Sequence, residues 1–263
     1  MELAPTLPPL RSTWVDVVFA LIVREFRTRT GSHWLGYLTS VAEPALHVLL
    51  LIFLFGRSGK VLLPGIDMPV FFTVGVAHFF YFRIAVSAIG MSLVANRPLL
   101  FYRQVQPLYA LLARTLVEFG VHLGTVMALI GVGLLCQSNF AIIDLNLLVW
   151  VNFLLAMLSL GIGGTVAVIS QVYPHSRALT MNIMRGLFYV SCVFYPFFLL
   201  PPSVQPTFAW NPLMHALELV RSSLIPGYNI PNAVSVTYLE CWVVGSLTVM
   251  FVTYRACRKY LLV

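Results

Sequence analysis

The chain has 263 residues, 59% of them hydrophobic and 10% charged, where a soluble domain carries roughly 25% charged residues. Fifty-nine per cent of 263 is about 155 residues, and six membrane-spanning helices of about 20 apolar residues each would use about 120 of them. This arithmetic excludes a soluble enzyme, a disulfide-stapled secreted module and a disordered tail, and the net charge of +7 is expected on cytoplasmic loops before any nucleic-acid interface.

The first ten residues, MELAPTLPPL, carry an acid and prolines where a secretory signal carries a basic segment, so no cleaved signal is expected. Residues 12–30 read as one amphipathic helix. Val15, Val18, Phe19, Ile22 and Phe26 recur at three- and four-residue spacing, with Asp16, Arg24 and Arg27 on the other side and Arg29 following. Its apolar core is too short to span, and its basic end places it in the headgroup region of the cytoplasmic face.

Six apolar segments follow, about Leu35 to Phe55, Val70 to Val94, Leu108 to Cys136, Leu145 to Val172, Leu179 to Leu200 and Ala233 to Tyr254. With the N-terminus inside, the cytoplasmic stretches hold Arg11, Arg24, Arg27, Arg29, Arg97, Arg103, Arg177, Arg255, Arg258 and Lys259, and the outer ones only Arg57, Lys60 and Arg221. Both termini are therefore expected in the cytoplasm. Residues 1–31 form an N-terminal cytoplasmic segment on this reading, and 32–263 an all-α, six-span membrane domain. The stretch from Pro201 to Asn232 is rich in proline yet contains the apolar run Leu213 to Ile225, which suits a half-inserted hairpin on the outer side. No internal repeat is visible, which weighs against inverted-repeat transporters.

Charge inside a span costs a few kcal/mol, so each such residue needs a reason. Arg114, Glu118 and His122 follow at four-residue spacing on one helix face and read as an ion pair that hides its own charge. Glu43 and His47, beside Pro44, make a similar pair in the first span. Arg83 has no acidic neighbour at helical spacing and must face a partner helix, a water-filled cavity or a substrate path, while Arg185 could snorkel to the interface. Aromatics crowd the second and fifth spans, as packing, as interface belts, or as rings stacked on sugar faces along a path. Close helix packing is expected at Gly120 with Gly124, and at Gly161, Gly163 and Gly164. Cys136, Cys192, Cys241 and Cys257 have neither metal spacing nor a C-x-x-C pair, so no metal site is expected.

Nucleotide and hydrolase motifs are also missing. The Gly59-Lys60 pair lacks the spacing of a phosphate-cradling loop, and no H-E-x-x-H or G-x-S-x-G occurs. Catalysis by this chain alone is not expected. An ion-coupled secondary transporter would need Glu118 with His122 as its energised site, beside Arg114. A membrane-embedded assembly protein is a further possibility, and in that case the loop between the second and third spans would bind a partner without ATP.

That loop runs Asn96, Arg97, Pro98, Leu99, Leu100, Phe101, Tyr102, Arg103, Gln104, Val105, Gln106, Pro107, with two arginines and two aromatics between prolines. It reads either as a plain basic loop or as a small docking helix. It resembles the segment after the second span in membrane subunits of ABC-2 type polysaccharide exporters, particularly capsular polysaccharide export permeases of the KpsM type. Gly36-Tyr37 with Glu43-Pro44 and His47 looks like the start of that family's first span. Trp210-Asn211-Pro212-Leu213-His215 with Glu218 and Arg221, closing on Pro226-Gly227-Tyr228, looks like its extracellular re-entrant region.

The resemblance implies an exporter in which two copies of this subunit work with two copies of a separate ATPase that binds ATP and Mg, no cofactor being held by this chain. Periplasmic co-polymerase and outer-membrane polysaccharide export proteins would be further partners. Residues 96–107, carried by Asn96, Arg97, Pro98, Phe101, Tyr102, Arg103, Gln104 and Pro107, would seat in the ATPase as a coupling helix. The cargo implied is an acidic capsular polysaccharide on a lipid anchor, crossing the bacterial inner membrane, with O-antigen, teichoic acid or drug export as the alternatives. On this reading Arg24, Arg27 and Arg29 would meet lipid phosphate at a lateral entrance. Trp34, Tyr37, Tyr81, Arg83 and Arg185 are then the candidates for the path.

Overall fold

The computed structural model describes residues 14–30, 46–47, 49–50, 53–54, 68–102, 104–135 and 141–261, and among these every regular element is helical. Trp34, Tyr37, Glu43 and Arg103 lie outside the described residues, as does most of the first expected span. Helical backbone is present at its Leu46, His47, Leu49, Leu50, Phe53 and Leu54.

The amphipathic N-terminal helix is α1 (Trp14–Thr30), which packs along the third expected span. Its buried residues are Val18, Leu21 and Glu25, one stripe at three- and four-residue spacing, while Trp14, Val15, Phe19 and Phe26 are exposed. The helix thus has two apolar faces. A narrow one meets the bundle and a broader one is left outward.

At the centre stands α2 (Met68–Ala95), apolar on all sides and packed by α3 (Pro107–Leu135), α4 (Leu145–Ile169), α5 (Ser176–Val190) and α7 (Pro212–Leu224). Its Phe71, Phe72, Phe79, Phe80 and Phe82 are all buried, so this aromatic surplus is packing rather than an interface belt. Acyl chains are as apolar as phenylalanine, and the gain from burying these rings comes from close fit. α2 ends at Asn96, with φ −100° and ψ 8°, and Pro98, which has no N–H to continue the ladder, follows in a 3-10 turn. Pro107 opens α3 at a position where its missing N–H costs nothing.

Close packing holds at one expected glycine cluster and not at the other. A Cβ on Gly161 would lie 2.8 Å from Cβ of Ser246 on α8 (Val236–Ala256), and one on Gly163 would lie 2.9 Å from Cβ of Ile89 on α2. These glycines let α4 touch both neighbours. Among the described residues Gly120 and Gly124 meet nothing within 4 Å, so close packing at the G-x-x-x-G of α3 is not seen there.

Among the described residues four helices are long and apolar enough to cross a membrane: α2, α3, α4 and α8, of 28, 29, 25 and 21 residues. The expected fifth span is not one helix. α5 has 15 residues, about 22 Å, against a hydrocarbon thickness of about 30 Å. The chain leaves the helix at Ser191, turns left-handed at Cys192 with φ 55°, passes Pro196 and makes a short 3-10 turn at Phe197–Leu199. Pro196, with no N–H to give, is the residue that forbids a continuous span. α6 (Gln205–Ala209) then leads through Trp210 and Asn211 into α7, whose Asn211 side chain accepts from the Leu213 N–H at 3.0 Å. α7 is buried along almost its whole length between α2, α4 and α8. The short α9 (Arg258–Leu261) closes the described chain.

Candidate functional site

Where α2 ends, a buried polar joint ties three elements together. Asn96 is 0% exposed; its amide donates to Glu25 Oε1 at 2.6 Å and to the Ser92 carbonyl at 2.8 Å, and its oxygen accepts from Arg24. Glu25, 4% exposed, takes a second bond on Oε2 from Arg114 at 2.7 Å, and the other nitrogen of Arg114 pairs with Glu118 at 2.9 Å. Arg24 and Glu25 belong to α1, Asn96 to the head of the 96–107 segment, and Arg114 and Glu118 to α3. Charge-assisted bonds of this kind are about twice as strong as neutral ones. α1 is thus pinned to the root of that segment.

The segment itself is not an α-helix. It is a 3-10 turn at Arg97–Leu99 followed by further turns, because Pro98 interrupts the helical hydrogen-bond ladder and Pro107 begins the next helix. Phe101 and Tyr102 project from it at 75% and 66% exposure. Gln104 is exposed as well, whereas Pro107 is buried.

Beside the joint lies a cavity of about 520 Å³ lined by Glu25, Arg83, Ser87, Ser92, Arg114 and Arg185 together with apolar residues of α2 and α5. Three guanidinium groups and one carboxylate therefore face one space. Arg83 also stacks over the Phe80 ring at 4.4 Å. A second cavity shares Arg83 and Arg185 and continues past His47, Phe79, Phe80, Phe188 and Tyr189, so an arginine-rich chamber passes into an aromatic one. Of the residues expected along a path, Arg83 and Arg185 are brought together here, and Arg24 and Arg27 line a separate groove on α1 with Phe19, Ala20 and Val23. Arg29 lies at the end of α1, and its side chain is outside the described residues.

Tyr81 corrects the expectation. It is buried in the bundle with its ring stacked on His122 at 3.9 Å, on the side of α2 away from Arg83, and lines neither cavity. His122 likewise stands apart from the ion pair of Arg114 and Glu118, bonding Asn152 at 2.7 Å and meeting His78 edge-on at 4.9 Å. His47 meets the Phe80 ring at 4.6 Å in a tilted contact.

The Asn211 to Arg221 group serves the broken fifth span. Non-helical backbone at membrane depth survives only where protein satisfies it. Arg221 donates to the carbonyls of Cys192 at 2.8 Å and Val193 at 3.0 Å, Glu218 accepts from the Phe197 N–H at 3.3 Å, and Asn211 donates to the Ser191 hydroxyl at 2.8 Å. Arg221 and Glu218 pair at 3.1 Å, Tyr228 donates to Glu218 at 2.6 Å, and the guanidinium lies 3.7 Å over the Phe71 ring. Gly75 leaves the room, since a Cβ there would run into the Arg221 guanidinium. His215 bridges the Ala209 carbonyl and the Ser235 N–H at 2.7 and 3.1 Å. Pro212 supplies the first turn of α7.

Sequence reasoning missed Glu25 and Asn152. An acid between Arg24 and Arg27 breaks the basic end of an amphipathic helix and was the available signal for the first. A lone amide within a span was the signal for the second.

The sequence profile of the ABC-2 type transporter family matches residues 16–225. The polysialic acid transport protein KpsM of Escherichia coli is 33% identical over 246 residues, covering 93% of this chain and 95% of that protein. The capsule polysaccharide export inner-membrane protein BexB of Haemophilus influenzae is 26% identical over 209 residues, 78% of this chain and 77% of that protein. The capsule polysaccharide export inner-membrane protein CtrC of Neisseria meningitidis serogroup A is 27% identical over 209 residues, 78% of each.

Proposed function

The chain belongs to the ABC-2 type transporter family, and from that premise we propose that it is the membrane subunit of an ATP-driven exporter moving a lipid-linked, acidic capsular polysaccharide across the bacterial inner membrane. The observation that carries this reading is the match to a polysialic acid transporter along 93% of the chain, together with a family profile over residues 16–225 that takes in the cavity, the joint and the 96–107 segment. In this reading the chain has six spans with both termini cytoplasmic, and a re-entrant region formed by α6 and α7. It pairs with a second copy and with two copies of an ATPase that binds ATP and Mg, and it hands polymer to periplasmic co-polymerase and outer-membrane export proteins.

The chain's own part is mechanical and electrostatic. Phe101 and Tyr102 offer apolar anchors to the ATPase, flanked by Arg97 and Arg103. Displacement of that segment acts on Asn96, and through Asn96 on α1 by way of Glu25 and on α3 by way of Arg114. The cavity beside that joint presents guanidinium groups, whose forked donors suit lipid phosphate and sugar carboxylates. The second cavity presents the rings of Phe188 and Tyr189, on which sugar faces can slide. Pairing of Glu118 with Arg114, and of His122 with Asn152, argues against an ion-coupled secondary transporter, because neither group is held ready to carry an ion. Removal of the gene from an encapsulated host should leave polymer inside the cell, and the restored gene should return surface capsule. Unchanged surface capsule in the deletion would overturn the proposal.

A further inference from the structure

His215 sits where α6, α7 and α8 meet, and both of its ring nitrogens are in use. Nε2 lies 2.7 Å from the Ala209 carbonyl oxygen, which can only accept, so Nε2 carries the hydrogen. Nδ1 lies 3.1 Å from the Ser235 backbone nitrogen, which can only donate, so Nδ1 carries none. The geometry selects one neutral tautomer, and a proton arriving at Nδ1 must break the Ser235 bond. Ser235 is the N-cap of α8, its hydroxyl accepting from the Tyr238 N–H at 3.3 Å. An imidazolium at that place would also face the positive end of the helix.

Among the described residues, the groups around the ring do not compensate such a charge. On α8 the Tyr238 ring lies 4.6 Å from the imidazole with its hydroxyl donated to the Trp210 carbonyl at 2.8 Å, and Glu240 accepts from the Trp150 indole at 2.8 Å. On α7 itself Glu218 is one turn further, its oxygens taken by Arg221, by the Phe197 N–H and by Tyr228. On α2 His78 and Tyr81 turn to His122, and Arg83 lies over Phe80. α4 and α6 carry no titratable residue. From the broken fifth span Cys192 and Tyr195 join the apolar cluster of Met214, and neither is charged at neutral pH. The ring is 2% exposed, yet Trp210, next to its Ala209 contact, is 63% exposed, so a proton has a short way in.

We propose that His215 is a proton-sensitive latch, which holds the start of α8 against α6 and α7 while uncharged and releases it when protonated. Only the closed state needs Nδ1 bare, so the open state binds the extra proton and gains as pH falls. An imidazole of ordinary value titrates near 6.5, so the latch is shut at about pH 7.5 and loosens progressively below about pH 6.5. Its release frees the neighbourhood of Asn211, whose side chain steadies the break in the fifth span at Ser191. That the proton comes from outside the cell rests on the export reading, which sets α6 and α7 toward the outer face.

The test follows backbone hydrogen exchange in residues 207–216 and 234–239 of the purified complex of this chain with its ATPase in detergent, each rate divided by that of an unstructured peptide at the same pH. At about pH 5 an ordinary imidazole is protonated about thirty to one, so opening can gain at most about thirty-fold over about pH 7.5. Protection in these residues should fall at least about ten-fold in the wild type, and residues 148–158 in the body of α4 should keep theirs. His215→Gln, which keeps a donor and an acceptor but cannot titrate, should show the same protection at both pH values. Equal protection at the two pH values in the wild type overturns the proposal even if His215→Gln fails to insert. A fall of the same size in His215→Gln assigns the effect to another group and overturns it, as does a fall shared equally by residues 148–158. Exchange does not depend on what the complex carries, so the export reading is scored separately, by surface capsule in the deletion strain.

Discussion

Arg221 and Glu218 are 0% exposed and 3.1 Å apart, and the guanidinium also serves two carbonyls of the broken fifth span. Replacing Arg221 by Met strands a buried carboxylate, at a cost of about 3–5 kcal/mol. It also orphans the carbonyls of Cys192 and Val193, at about 1–3 kcal/mol each. The double variant Glu218→Gln/Arg221→Met orphans the same carbonyls but strands no charge, and its glutamine can accept from the Phe197 N–H on its oxygen and donate its NH2 to the Tyr228 hydroxyl oxygen. The single substitution should therefore be the more harmful by about 3 kcal/mol, even though the double removes more of the native pair. Equilibrium unfolding in mixed micelles of rising sodium dodecyl sulfate content, followed by tryptophan fluorescence, measures both. Equal costs, or a worse double variant, would refute the claim that the stranded Glu218 carboxylate carries the larger part of the cost.

Asn96→Ala removes the bonds that join α1 to the 96–107 segment and should lower polymer export at least ten-fold while ATP hydrolysis and assembly persist, read as polymer moved per ATP in membrane vesicles. Gly161→Val should destabilise by about 2 kcal/mol or more through the clash with Ser246, while Gly120→Ala, open on its Cβ side, should stay within about 0.5 kcal/mol in the same unfolding assay. Arg83→Ala should abolish capsule with ATPase binding intact. Normal capsule would leave Arg83 the role of packing on Phe80.

The long helices were legible because hydrocarbon imposes one rule on every spanning residue, so α2, α3, α4 and α8 lie where apolar length puts them. The same rule misled at the fifth span. Leu179 to Leu200 is long and mostly apolar, with Asn182 and Arg185 near its start, yet its backbone breaks at Ser191, and the groups that make the break tolerable, Glu218 and Arg221, sit more than twenty residues downstream. Local composition cannot report a partner so distant in sequence. Arg114 with Glu118 was readable from four-residue spacing, but Glu25, which completes the joint, lies 89 residues before Arg114. Periodicity placed Tyr81 near Arg83 in sequence and could not say that the two side chains leave α2 in different directions, one toward His122 and one into the cavity. On α1 the hydrophobic pattern named an apolar face, and the structure turns its Val15, Phe19 and Phe26 outward while its Val18 joins Leu21 and Glu25 against the bundle.

The central claim is that this chain turns movement of residues 96–107 into passage of polymer. The direct measurement is ATP-dependent transport of lipid-linked capsular polysaccharide into inverted inner-membrane vesicles, with hydrolysis recorded in the same sample, for the wild-type complex and for Arg97→Glu/Arg103→Glu. The account predicts that the wild type moves polymer only with ATP, and that the variant inserts and hydrolyses ATP but moves none. Undiminished transport by the variant, or wild-type transport without ATP, would contradict it.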